Sequence, residues 1–310
     1  MDNFLTWFGL VNNKTVLHWV VLWMFTVFPV YVFVTCSKFT FKVISQEILS
    51  KRWLMLKVFL VVGLLTPLMA AGIVKIFSGF HMSLVLGGIM LIASTAPGDP
   101  FDLLDAHGKK GSMLMASTVM VLLVLLMPLT VPCWMWVFSH WFPLHLAAAP
   151  VNIFTKVSVL VIVPMVTGLV FRQLLPKLTD KLELILHGYF KISAITILIF
   201  FLPGALGKIA TVAGLAGCIA MFIVTTLTLF TGYYVARGSD RKERISIALA
   251  CSLGNMAAVF CIAYHGYPEL SKNNTFLMTV LGWVMMRWFG IYAWYFFMKF
   301  RLARRGESLS

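Results

Sequence analysis

The sequence predicts an all-α polytopic membrane protein of nine transmembrane helices, and three observations carry that prediction. Of its 310 residues, 60% are hydrophobic and only 12% charged, with a mean hydropathy of +0.92. A soluble globule of that composition would expose very large apolar patches. Polar interruptions divide the chain into nine apolar runs, each close to the roughly 20 residues that a helix needs to cross about 30 Å of hydrocarbon. Finally, Lys and Arg collect in alternate connections, as they do where basic loops stay in the cytoplasm.

Residues 1–14 lack the basic leader and small-residue cleavage site of a signal peptide, so Asn3 to Val11 reads as an amphipathic segment lying in the interface. The spans follow near 15–36, 54–76, 80–107, 112–139, 151–173, 186–206, 209–236, 244–266 and 274–300, and 301–310 is a polar tail. Four spans (15–139) precede the uncharged connection Ser139 to Asn152 and five (151–300) follow it. Basic residues flank the first connection (Lys38, Lys42, Lys51, Arg52), the third (Lys109, Lys110), the fifth (Arg172, Lys177, Lys181) and the seventh (Arg237, Arg241, Lys242, Arg244), and recur in the tail. This pattern predicts the N-terminus outside and the C-terminus in the cytosol, with a bacterial inner membrane as the expected location. The net charge of +14 is then a matter of topology and attraction to anionic lipid, and no nucleic-acid partner is implied. The five cysteines and seven histidines show no metal-ligand spacing. Alanines and glycines at Ala213, Gly214, Ala216 and Gly217 give the seventh span a small-residue face suited to close helix approach. Trp283, Trp288 and Trp294 read as packing in the last span.

Two spans are interrupted. The third is broken at Pro97-Gly98-Asp99-Pro100-Phe101-Asp102, and the eighth at Ser252-Leu253-Gly254-Asn255. One span follows each break in its own half, and with nine crossings the two broken helices run in opposite directions, the layout of an inverted repeat. Irregular backbone survives at membrane depth only where protein or water covers it, so the two breaks are expected to meet. Half-helix ends there supply dipoles for ions and substrates. Asp99, Asp102 and Arg287 add ionisable groups to a setting where each is a functional hypothesis in itself. One of the aspartates is expected to pair with Arg287, whose guanidinium fork suits a carboxylate, sulfonate or phosphate. Asp105, close to Lys109 and Lys110, reads as interfacial. The candidate substrate and ion site is therefore Pro97, Gly98, Asp99, Asp102, Ser252, Gly254, Asn255 and Arg287.

The run Leu84 to Pro132, with Gly87-Gly88, Pro97-Gly98, Lys110-Gly111 and Pro128-Leu129-Thr130-Val131-Pro132, resembles the fourth and fifth helices of the bile acid:sodium symporter family. Ile247 to Asn255 is similar to that family's ninth helix, and the resemblance extends loosely from Trp19 to Phe300. It implies a ten-helix inverted repeat of core and panel domains, here shortened to nine, and a secondary transporter of organic anions. Several of the family's polar positions differ. Its serine and asparagine in the first break fall at Asp102 and Leu103, and its hydroxyls in the next helix at Ala116 and Met120, beside Ser117 and Thr118. Its glutamine before the third-helix proline falls at Val62, its ninth-helix glutamate and glutamine at Ala250 and Gly254, and a last-helix asparagine at Arg287.

The expectation that follows is alternating access for a small organic anion, bile-acid-like and bearing a carboxylate or sulfonate. No cofactor is expected, and a proton replaces sodium as Asp99 or Asp102 releases Arg287. The alternative keeps sodium, with Asp102 and Asn255 as its ligands. Two further classes are an intramembrane aspartyl hydrolase, in which two carboxylates share a proton to activate water, and a non-transporting sensor. The hydrolase is disfavoured because both aspartates come from one helix, and no enzyme is expected.

Overall fold

The computed structural model describes residues 26, 29–30, 32–34, 36–96, 111–143, 150–182, 185–186, 188–189, 192, 214–252, 254–255, 258–259, 262–263 and 276–304. Its helices are α1 (Phe41–Ser50), α2 (Arg52–Ser78), α3 (Leu84–Thr95), α4 (Met113–Trp141), α5 (Pro150–Val157 continuing through Val163–Leu174), α6 (Gly214–Val235), α7 (Arg241–Cys251) and α8 (Phe276–Ala303). No strand occurs among the described residues. By length and composition, α2, α4 and α6 can each cross a bilayer, and α3 is a shorter apolar helix. The expected spans near 15–36 and 186–206 fall mostly outside the described residues.

Local chemistry sets the helix starts. Ser112 caps α4 by accepting from the Met115 N–H at 3.3 Å, and Asp240 caps α7 by accepting from the Glu243 N–H at 2.8 Å. The π turn Val61–Leu65 interrupts α2 without ending it. Its Gly63 carbonyl accepts the Trp134 indole N–H at 2.7 Å, which ties α2 to α4.

The first basic connection contains a helix, α1: the Thr40 hydroxyl accepts from the Val43 N–H at 3.4 Å, and Ile44 is buried. Of the basic residues that mark topology there, Lys42 stands on this helix, Lys38 precedes it, and Lys51 and Arg52 follow it; the apolar side of α1 packs against α4.

Three of the basic connections and the last helix meet on one face. Lys51 forms ion pairs with Glu47 and, across the chain, with Glu243. The Ser112 N–H donates to the Lys242 carbonyl at 3.1 Å, and the Ser246 hydroxyl to the Ser112 carbonyl at 2.9 Å. The Arg301 guanidinium donates to the Tyr234 hydroxyl at 3.0 Å. The starts of α2, α4 and α7 therefore lie together with the end of α8.

From that face α2 runs away, the turn at residues 79–83 reverses the chain, and α3 returns toward the interior. Residues Val85 to Thr95 are all buried, as are Ile245 to Cys251 in α7. Helices apolar all round belong inside. α3 packs against α2, α4 and α8, while α7 packs against α4 and α6.

α6 also makes a close approach beyond its small-residue run. A Cβ on Gly214 would meet nothing within 4 Å, whereas one on Gly232 would lie 2.9 Å from the Ala248 Cα and 2.8 Å from the Cys251 Cβ. Gly232 lets α7 approach α6 through the Ala248 backbone and the Cys251 side chain.

Candidate functional site

Both half-helices stop where the sequence places its breaks. α3 ends at Thr95, and Ala96 leaves the helix at φ −111°, ψ 68°. α7 ends at Cys251, with Ser252 extended at φ −64°, ψ 143°. The two ends meet: the Asn255 N–H donates to the Ala96 carbonyl at 2.6 Å. Because α3 and α7 enter from opposite faces, this hydrogen bond joins two C-terminal helix ends.

Chain path after α7 is held by local bonds. The Ser252 hydroxyl donates back to the Leu249 carbonyl at 2.6 Å, and the Asn255 side-chain oxygen accepts from the Ala258 N–H at 3.0 Å, starting the next helical turn. Gly254 between them has φ +73°, which an L side chain rarely adopts. A Cβ there would also strike the Ala93 carbonyl oxygen at 2.7 Å and the Trp283 ring at 2.9 Å. Only glycine lets the break lie flat against α3 and α8.

Arg287 comes in from α8 and is 1% exposed. Its Nη2 and Nε lie 3.1 and 3.4 Å from the Ser252 hydroxyl oxygen, which accepts from them. A buried guanidinium is costly unless paired or bonded. Here it stands at the C-terminal end of α7, where the helix dipole and the last carbonyls favour a cation. Trp283, one turn earlier on α8, is fully buried against Gly254. The break from Ser252 to Asn255 is thus held by two α8 side chains four residues apart.

Of the expected site residues, the structure brings together Ser252, Gly254, Asn255 and Arg287. Pro97, Gly98, Asp99 and Asp102 lie outside the described residues, as does Asp105, so the carboxylate partner expected for Arg287 lies there too. Ser252 as an acceptor for Arg287, the Ala96 carbonyl and Trp283 were not anticipated as contacts of the break. Trp283 was within reach, because positions four apart share a helix face.

Other polar atoms are enclosed nearby in sequence terms. Ser117 and Thr118 on α4 have buried hydroxyl oxygens with no hydrogen-bond partner, while Ala116 and Met120 pack in the apolar core. Among the described residues, no group of three His, Cys, Asp or Glu side chains could hold a metal ion.

A charge enclosed where two interrupted helices abut, in a bundle with membrane-crossing helices, belongs to the class of secondary transporters. The model of the sodium bile acid symporter family matches residues 20–213, and the chain belongs to that family. Its members are transporters rather than enzymes. The matched residues include the first break and stop before the second and before Arg287. No curated protein sequence matches the chain.

Proposed function

We propose that the protein carries a small organic anion, with a carboxylate or sulfonate head group, across the membrane by alternating access, and that Arg287 reads the head group. The observation that carries this reading is the buried Arg287 guanidinium bonded to Ser252 at the meeting of the two half-helices. A cation there complements an anion and leaves the bound complex closer to neutral. The proposed layout is an inverted repeat of four spans (15–139) and five (151–300), supported by the approach of α3 and α7 from opposite faces. The N-terminus is outside and the basic face, where Lys51, Lys242 and Arg301 gather, is cytoplasmic.

A proton is the proposed coupling ion, with Asp99 or Asp102 releasing Arg287 on protonation or on arrival of the anion. The Ser252 oxygen supports this choice over sodium, since an oxygen that accepts from a guanidinium is poorly placed to ligate a cation. Family membership and the unpartnered hydroxyls of Ser117 and Thr118 favour the second reading, sodium coupling with Asp102 and Asn255 among the ligands.

The test is uptake into proteoliposomes of radiolabelled carboxylates and sulfonates, taurocholate included, with sodium and proton gradients imposed separately. Proton-driven uptake that Arg287→Ala abolishes is the expected result. Sodium-driven uptake would replace the coupling proposed here with the second reading, and binding without flux under either gradient would overturn transport in favour of a sensor.

A further inference from the structure

We infer that the Trp283 indole N–H is a second donor to the anion's head group, acting beside Arg287; this rests on the reading of Arg287 as the anion's cationic partner. Trp283 is fully buried, and its Nε1–H has no hydrogen-bond partner. Buried indole N–H groups ordinarily find an acceptor, and each exception needs a reason. Here the Cη2 corner of the ring lies against the glycine at position 254, and Trp283 and Arg287, four residues apart on α8, share one helix face. An oxyanion bonded to Arg287 in place of the Ser252 hydroxyl would find the indole donor one turn away on the same helix face.

The chemistry favours a head group with several oxygens. A guanidinium fork occupies two oxygens of a carboxylate or sulfonate, and a sulfonate keeps a third for the indole. The unmet N–H also favours binding, because its desolvation cost is already present before an anion arrives. Both side chains are enclosed in protein.

Trp294 supplies an internal control. Its Nε1–H is likewise buried without a partner, but its ring stands edge-on to Tyr233 with centroids 5.8 Å apart, two turns along α8 from Arg287. An unmet indole alone is therefore not the argument; its place on the break is.

The experiment measures how far 2-naphthalenesulfonate and 2-naphthoate, which share a ring system and differ in head group, protect the purified chain from thermal unfolding. The natural chain is compared with Trp283→Phe, Trp294→Phe and a chain carrying benzothienylalanine at position 283, in which sulfur replaces the N–H at nearly unchanged ring shape. The expected result is at least a tenfold loss of affinity for the sulfonate in both 283 variants. The benzothienylalanine chain should match the ligand-free stability of the natural chain, since no hydrogen bond is lost and the ring volume is kept, whereas Trp283→Phe leaves a cavity at a fully buried site and should be less stable before any ligand binds; Trp294→Phe should bind normally. Unchanged affinity in the benzothienylalanine chain, whatever Trp283→Phe does, would overturn the inference while leaving the Arg287 reading intact. No protection of the natural chain by either probe would overturn both.

Discussion

Gly254→Ala is the sharpest test of the crossing, because two separable penalties meet at that one position. The backbone at φ +73° costs an L residue about 1–2 kcal/mol. The added methyl would stand 2.7 Å from the Ala93 carbonyl oxygen, 2.8 Å from its Cβ and 2.9 Å from the Trp283 ring. Two of these three atoms belong to Ala93 on the enclosed α3, which has little room to yield. Overpacking of this kind costs about 1–3 kcal/mol, so the sum is about 2–5 kcal/mol. Gly214→Ala is the matched control: φ is +60°, but the new methyl meets nothing within 4 Å, leaving the backbone penalty alone. Reversible unfolding of both variants in mixed SDS micelles, followed by circular dichroism, should place Gly254→Ala below Gly214→Ala by about 1–3 kcal/mol. Equal losses would show that the break does not lie against α3 and Trp283 as described.

Ser252→Ala removes an acceptor from a buried guanidinium and should destabilise by about 1.5–3 kcal/mol in the same assay, with Ser252→Thr recovering most of it; a neutral Ser252→Ala would remove Ser252 from the site. The third prediction concerns pH. Burial alone would lower the Lys51 ammonium, but hydrogen bonds to Glu243 and Glu47, with their charges, outweigh it and hold the group above its ordinary value of 10.5. A raised folded value means the contribution is whole below the ordinary lysine range and lost as pH climbs through the folded value. The side chain is 31% exposed, so screening limits the effect to about 1 kcal/mol or less. The stability gap between the natural chain and Lys51→Met should stay level from neutral pH to about 9 and close only above the ordinary lysine value; a gap that closes below pH 9 would rule out Lys51 as its source.

The second break was legible in the sequence because Ser252, Gly254 and Asn255 interrupt an apolar run, and a lone Arg287 in the last span demanded company of the kind such a break supplies. What covers the breaks was not legible. Ser252 and Arg287 are 35 positions apart and Ala96 and Asn255 far more, and hydroxyls and backbone carbonyls carry no pattern that announces a distant partner. Lys51 and Glu243 have charge as a signal, yet their pairing depends on α2 and α7 starting on the same face. Gly232 was not legible as a contact, since clustering of small residues is visible in a sequence while the neighbour opposite a single glycine is not.

Arg287 shows why a charge could be read as functional before its partners were known. A lone cation in hydrocarbon is costly on any scale, so its presence in α8 already demanded electronegative ends of some kind. The sequence suggested aspartates. The fold offers a further supply as well, two half-helices that stop facing one another and leave their terminal carbonyls inside the protein. Those helix ends share a property that aspartates lack: they cannot be protonated, so their hold on Arg287 stays the same across pH. A pH-dependent release of Arg287, as proposed for Asp99 or Asp102, needs a titrating side chain, whereas the Ser252 bond and the helix ends set a constant background against which that release would act.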